Sequence, residues 1–201
     1  SAQKPPLIIA DSGLVNQGAS GYSYYYSLTD LLVSGTITFD GFTEAITGVA
    51  WIDRQFGSYN PYEKEKYEWL NVQLDNQVEL NIWNIFTPQN TIPSSSAYRI
   101  CSVSFADGTS CTTSDFTLER MKYSYTPDSA RCYANGWHIK ADTQQIDLIA
   151  VARFPDHEIK IPFRFFEGSI AIEGTVKGVP VSGQGFAELL HAYEQPEIRM
   201  V

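Results

Sequence analysis

The stretch SYYYSLTDLLVSGTITFDGFTEAITGVAWIDRQF, Ser23 to Phe56, decides the fold class. β-Branched and aromatic residues fill it, no helical periodicity runs through it, and Asp40-Gly41 stands at its centre. Asp-Gly between β-prone runs signals a hairpin, because both residues tolerate the left-handed backbone that a tight β-turn requires. The same grammar recurs downstream. YEWLNVQL and VELNIWNIF flank Asp75-Asn76, and AYRICSVSF and SCTTSDFTLERMKYSY flank Asp107-Gly108. RCYANGWHIKA, QIDLIAVARF, EIKIPFRFF, GSIAIEGTV and VPVSGQGFAELLHAY follow. Roughly ten short strands at regular spacing, without intervening helices, predict an all-β antiparallel barrel or sandwich. Aromatic residues at alternate positions favour a barrel wide enough to hold a ligand. Residues 1–21, rich in Gly, Ser and Pro, read as a lead-in segment, and residues 22–201 as a single barrel domain.

Composition narrows the function. The chain has 201 residues, 43% hydrophobic and 18% charged, which suits a globular core and not disorder. The net charge is −9 and the 14 Lys and Arg are scattered singly. Nucleic acids and anionic membrane surfaces require clustered positive charge, so both are argued against as partners. No apolar run reaches the length of a transmembrane span; IDLIAVARF comes nearest and suits a buried strand. Cys101, Cys111 and Cys132 match no zinc spacing, and three buried thiols are favoured over one disulfide plus a free thiol. His138, His157 and His191 lie far apart and form no ligand motif, so neither a metal nor another cofactor is expected. The compartment stays open: cytoplasmic and exported locations both fit. The opening SAQKPP has no signal-peptide apolar region.

Within the hairpin, Asp53, Arg54 and Gln55 are consecutive polar residues in an otherwise β-prone run. Strands alternate their faces, so at least one of the three is expected inward. Alternation groups Trp51, Asp53 and Gln55 on one face and Ile52, Arg54 and Phe56 on the other. One reading is a structural network in which Arg54 pairs with Glu188 or Glu167, two glutamates set among apolar neighbours. The other is a carboxyl in an apolar pocket, its pKa raised by desolvation, serving as a proton donor. Tyr24 and Tyr26, which share a face, together with Gln55, Trp69 and Trp83, are the candidate ligand-binding residues. Gly183-Gln184-Gly185 reads as a bulge or a close approach of backbones.

These residues also carry a resemblance. YYYSLTDLLVSGTITFDG, ITGVAWIDRQFGS, EWLNVQLDNQVELNIW and FFEGSIAIEGTVKGVPVSGQGFAELLHAY occur in that order over Tyr22 to Tyr193. The Trp-x-Asp-Arg-Gln-aromatic-Gly block and the closing Gly-x-Gly-aromatic-x-Glu-Leu are its specific parts. The chain resembles the carotenoid 1,2-hydratase (hydroxyneurosporene synthase)-like, or AttH-like, family of lipocalin-related proteins, with fungal lipocalin-type Diels–Alderases as more distant relatives. The resemblance implies a lipocalin-like, calycin-type barrel, the C-terminal half of a two-barrel protein whose partner is an N-terminal lipocalin-like barrel. It implies a hydrophobic ligand, an isoprenoid or a polyketide. It also implies that Asp53 protonates an alkene while Trp51 steadies the cation through its π face. The family often has Trp where this chain has Phe56. The activity implied is hydration or cyclisation; the rival is a non-catalytic lipid-binding module, or one that buttresses a partner barrel.

Overall fold

The computed structural model of the chain describes residues 1–17, 21–58, 66–127, 131–161 and 164–192. Asp40 and Gly41 take the left-handed angles that the turn chemistry demands, with φ of 48° and 80°. They close a long hairpin of β3 (Gly21–Phe39) on β4 (Phe42–Ser58). The lead-in also contributes: β1 (Leu7–Ile8) and β2 (Leu14–Gln17) both pair with the second edge of β3. Leu7, Ile9 and Val15 of this segment are buried, which ties it down.

A second sheet contains β5 (Lys66–Leu74), β6 (Glu79–Phe86), β7 (Arg99–Ser104), β8 (Ser110–Thr113), β9 (Thr117–Tyr125), β10 (Cys132–Ala141) and β11 (Ile146–Ala152). It is completed by β12 (Glu158–Lys160), β13 (Arg164–Val176) and β14 (Val179–Leu189). Its strand order is β8-β7-β6-β5-β14-β13-β11-β10-β9, with β12 on β13, and every pairing is antiparallel. The sheet curls into a half-barrel whose end strands β8 and β9 do not pair with each other.

Alternation explains the curl. In β11 and β13 every second residue is buried, and Leu148, Ala150, Ile170 and Ile172 point into one concave core. The interior is filled by side chains, with Trp137, Tyr133 and Phe166 fully buried at its centre. Among the described residues this interior is a packed core. All three cysteines are free thiols, Cys101 and Cys132 buried and Cys111 half-buried.

The glycines at 183 and 185 mark a close approach of backbones, as one of the two readings held. A Cβ on Gly185 would sit 1.9 Å from the Asn71 carbonyl oxygen, and one on Gly183 would sit 2.3 Å from that of Gln73. Both contacts are to backbone of the paired strand β5, which cannot swing away as a side chain can. Gly185→Ala is therefore expected to cost about 1–3 kcal/mol. A urea midpoint within error of the parent would show that the two strands can separate without penalty.

Candidate functional site: a cleft beneath the hairpin

The four-stranded sheet lies against the convex face of the half-barrel, and a second core joins them. Leu7, Ile9, Val15 and Tyr25 from one sheet pack with Trp69, Trp83, Ile85 and Ile100 from the other. Cross-strand register places residues on this face in rows. One row runs Glu167, Glu188, Trp69, Trp83; the next runs Ser169, Phe186, Asn71, Asn81.

The hairpin crosses these rows and bends at a bulge. Leu28 faces Ile52 but Leu31 faces Ala50, so Thr29 and Asp30 contain one residue too many. The half-barrel holds the bulge in place: Gln73 Nε2 donates to the Thr29 carbonyl at 2.7 Å, and the Thr29 hydroxyl reaches Glu79 at 3.3 Å. Lys4 pairs with the same glutamate at 2.7 Å, and both side chains are buried.

Below the bulge, β4 and the convex rows enclose a cleft of about 400 Å³. Trp51, Asp53, Trp69, Phe186, Glu167 and Glu188 are among its walls. Arg153, at the end of β11, lines both this cleft and an adjoining one of about 800 Å³.

Asp53 is held by a chain of hydrogen bonds that runs through both sheets. Its Oδ1 accepts from Trp51 Nε1 at 2.8 Å and from the Ser27 hydroxyl at 2.6 Å. Asn81 Nδ2 donates to the Tyr25 hydroxyl at 2.9 Å and to Ser27 Oγ at 3.3 Å, while Asn81 Oδ1 accepts from Trp69 Nε1 at 3.2 Å. Burial pushes the Tyr25 phenol well above its usual range, and the Asp53 charge pushes the same way, so Tyr25 stays protonated. Gln55, on the Asp53 face as alternation requires, donates to the Ser23 hydroxyl at 2.7 Å.

Several expectations change. Asp53, Arg54 and Gln55 are all exposed, not set into the core. Arg54 leaves β4 on the face opposite Asp53, and among the described residues it forms no ion pair with Glu167 or Glu188. Glu188 instead accepts from the Tyr67 hydroxyl. It is the carboxyl in this cleft that burial pushes upward, with Glu167 and Asp53 adding to the shift and the Tyr67 hydrogen bond opposing it. Tyr24 and Tyr26 pair with Phe56 and Arg54 and so face away from the cleft, Tyr24 packing on Phe56 at 5.7 Å. Tyr25 is the tyrosine of that run on the Asp53 face. Trp69 lines the cleft, but Trp83 is enclosed in the inter-sheet core between Tyr25 and Tyr67.

The structure therefore unites Trp51, Asp53, Trp69, Glu167 and Glu188, and it adds Tyr25, Ser27, Tyr67, Asn81 and Phe186. Asn81 left a signal in the sequence, a polar residue within the apolar run of ELNIWNIF. No group of three or more His, Cys, Asp or Glu able to hold a metal ion exists among the described residues. Nor is any helix among them long and apolar enough to cross a membrane.

A single antiparallel sheet curled into a half-barrel is a lipocalin-like fold. The AttH-like family model matches residues 1–193, and the chain belongs to that family. Two solved structures are similar in fold. A putative AttH from Nitrosomonas europaea shares 22% identity at a TM-score of 0.79. Kievitone hydratase from Nectria haematococca shares 20% at 0.75. Each comparison covers 94% of this chain and 59% of the other, so the chain spans less than two thirds of either relative. No curated protein matches the sequence.

Proposed function

We propose that the chain binds an apolar, alkene-bearing small molecule in the cleft beneath the hairpin and acts there as a hydratase, with Asp53 as proton donor. The observation that supports this reading is the Asp53 carboxylate, fixed by Trp51 and Ser27 at the wall of a cleft lined by Trp51, Trp69 and Phe186. A ligand seated there strips water from the carboxyls it covers, and a desolvated carboxyl favours its neutral, proton-donating form. The proton passes to one alkene carbon and leaves a cation on the other. Trp51 offers that cation a π face. Water adds to the cation and returns its extra proton to the carboxylate, so the net change is one water added. The name of kievitone hydratase, a fold relative, agrees with chemistry of this type.

Asp53→Asn tests the assignment. Asp53 is exposed, so losing its charge is expected to cost under about 1 kcal/mol of stability. Turnover is expected to fall by roughly 10² or more, the usual contribution of a positioned acid. The assay is mass spectrometry of an acyclic polyene or a prenylated phenol incubated in ¹⁸O-water, after solvent extraction of the purified protein for any co-purifying apolar molecule. A probe that gains no water, and a protein that carries no apolar molecule, would remove the enzymatic reading. The second reading, a module supporting a partner barrel, then stands, favoured by the part of each relative's length that this chain leaves unmatched.

A further inference from the structure

Beyond the bulge the hairpin continues as an arm whose two faces differ sharply. The face toward the half-barrel carries Leu32 and Val49 beside the bulge and then Ser34, Thr36, Thr38, Thr43, Ala45 and Thr47, with the Thr38 and Thr43 hydroxyls bonded at 2.8 Å. The opposite face is mainly apolar. Phe39 and Phe42 at the tip are 75% and 76% exposed, and Phe56 near the base is 62% exposed. Ile37, Ile46, Ile52 and Tyr24 lie between them, each more than a third exposed. A contiguous apolar face of this extent marks an association surface.

Three features of the face indicate what covers it. First, it carries only two charges, Glu44 toward the tip and Arg54 toward the base. They lie on one strand at equal distances either side of Val49. A second arm laid antiparallel on the first about that residue sets each Glu44 over the other copy's Arg54. The same operation sets Phe42 over Phe56 and Ile46 over Ile52, like on like, as an isologous contact requires. Second, the β4 side of the centre is occupied by Gly48 and Ala50, opposite Val33 and Leu31, and Gly35 stands one pair further toward the tip, opposite Ile46. Neither glycine needs a left-handed backbone, and a Cβ on either would meet nothing within 4 Å inside the molecule. Glycine within a strand costs stability, and it commonly marks the close approach of another backbone. Third, the area suffices. Strands of this length, rising about 3.3 Å per residue in a ribbon about 10 Å wide, bury on the order of 500 Å² per copy and roughly 1,000 Å² in total.

We propose that two copies of this chain associate by stacking the outer faces of their β3–β4 arms, antiparallel about Val49, with Glu44 of each copy against Arg54 of the other. The contact is an aligned sheet-on-sheet packing. It uses the face opposite the cleft and is independent of what the cleft binds.

Charge reversal provides the test. The chain of 22.5 kDa is expected to sediment at twice that mass at tens of micromolar, the range in which interfaces of this size are populated. Glu44→Arg and Arg54→Glu are each expected to weaken self-association at least tenfold, since each variant sets like charges together twice. Mixed one to one, the two variants are expected to recover the doubled mass, because each supplies what the other lacks. Gly48→Val is expected to weaken the dimer without charge. Far-ultraviolet circular dichroism checks that each variant is folded; all three positions are exposed. A parent chain that stays monomeric over that range overturns the proposal, and leaves the arm to further polypeptide of the kind the longer relatives carry. So does a dimer indifferent to either reversal, or a mixture that fails to recover.

Discussion

Arg120→Ala is expected to lower stability by about 3–5 kcal/mol, the cost of breaking a buried ion pair from one side. The guanidinium meets Glu68 in two parallel hydrogen bonds, Nε to Oε1 and Nη2 to Oε2, both 2.6 Å. Glu68 is fully buried, whereas the Arg120 side chain keeps 20% of its surface. The pair also joins distant strands, β9 to β5, across the open side of the half-barrel. Truncating the arginine takes two charge-assisted hydrogen bonds from a carboxylate that has no exposed surface in the folded chain. The double variant Arg120→Met, Glu68→Gln is expected to recover most of the loss, because it removes the buried charge together with its partner. Denaturant titration of parent, single and double variants decides the matter. A single variant within 1 kcal/mol of the parent would mean that water reaches Glu68 readily once the arginine is gone.

Trp137→Ala is expected to cost a similar 3–5 kcal/mol, by a different physical route. Trp137 is the largest of the fully buried side chains. It stands on β10 between Arg120 and Ala150 of the flanking strands. Removing it strips the interior of its principal volume, and a strand hydrogen-bonded to neighbours on both sides cannot readily shift to fill the gap. Thermal and urea unfolding should both report the loss. A small loss would show that the half-barrel contracts, and that its interior is less rigid than its packing implies.

The fold class was legible because turn chemistry is local. Asp40-Gly41 and Asp107-Gly108 sit at the turns they announced, with Gly41 and Gly108 at φ of 80° and 81°. The strand alternation in QIDLIAVARF and GSIAIEGTV likewise appears as alternate burial. The Trp51, Asp53, Gln55 face was legible for the same reason, since periodicity is a property of one strand.

What could not be read was the direction each face looks. Alternation separates Tyr24 and Tyr26 from Tyr25, but it does not say that Tyr25 is the one toward the half-barrel. That depends on which sheet lies beneath, and the half-barrel begins only at Lys66. The pairing of Arg54 with Glu188 or Glu167 turned on the same point: Arg54 lies with Ile52 and Phe56 on the face turned away from the half-barrel that carries both glutamates. Asn81 and Ser27 escaped notice because each matters only through the other, across two sheets. The two short strands of the lead-in had too few residues to show any period at all.

The bulge at Thr29 and Asp30 has a consequence for how the sequence can vary. Up to Ser27 the odd-numbered residues of β3 look toward the half-barrel; from Leu32 onward the even-numbered ones do. The two stretches are written in different phases, and the extra residue is the punctuation between them. On β4 a single phase runs unbroken, with even-numbered residues outward from Phe42 to Phe56, so a single deletion at the bulge would let Leu28–Leu31 pair evenly with Ile52–Ala50, and the arm would keep its faces and lose its bend. The extra residue therefore sets the bend that carries the hairpin over the cleft, while the pairing with β4 keeps Ile37 and Phe39 outward.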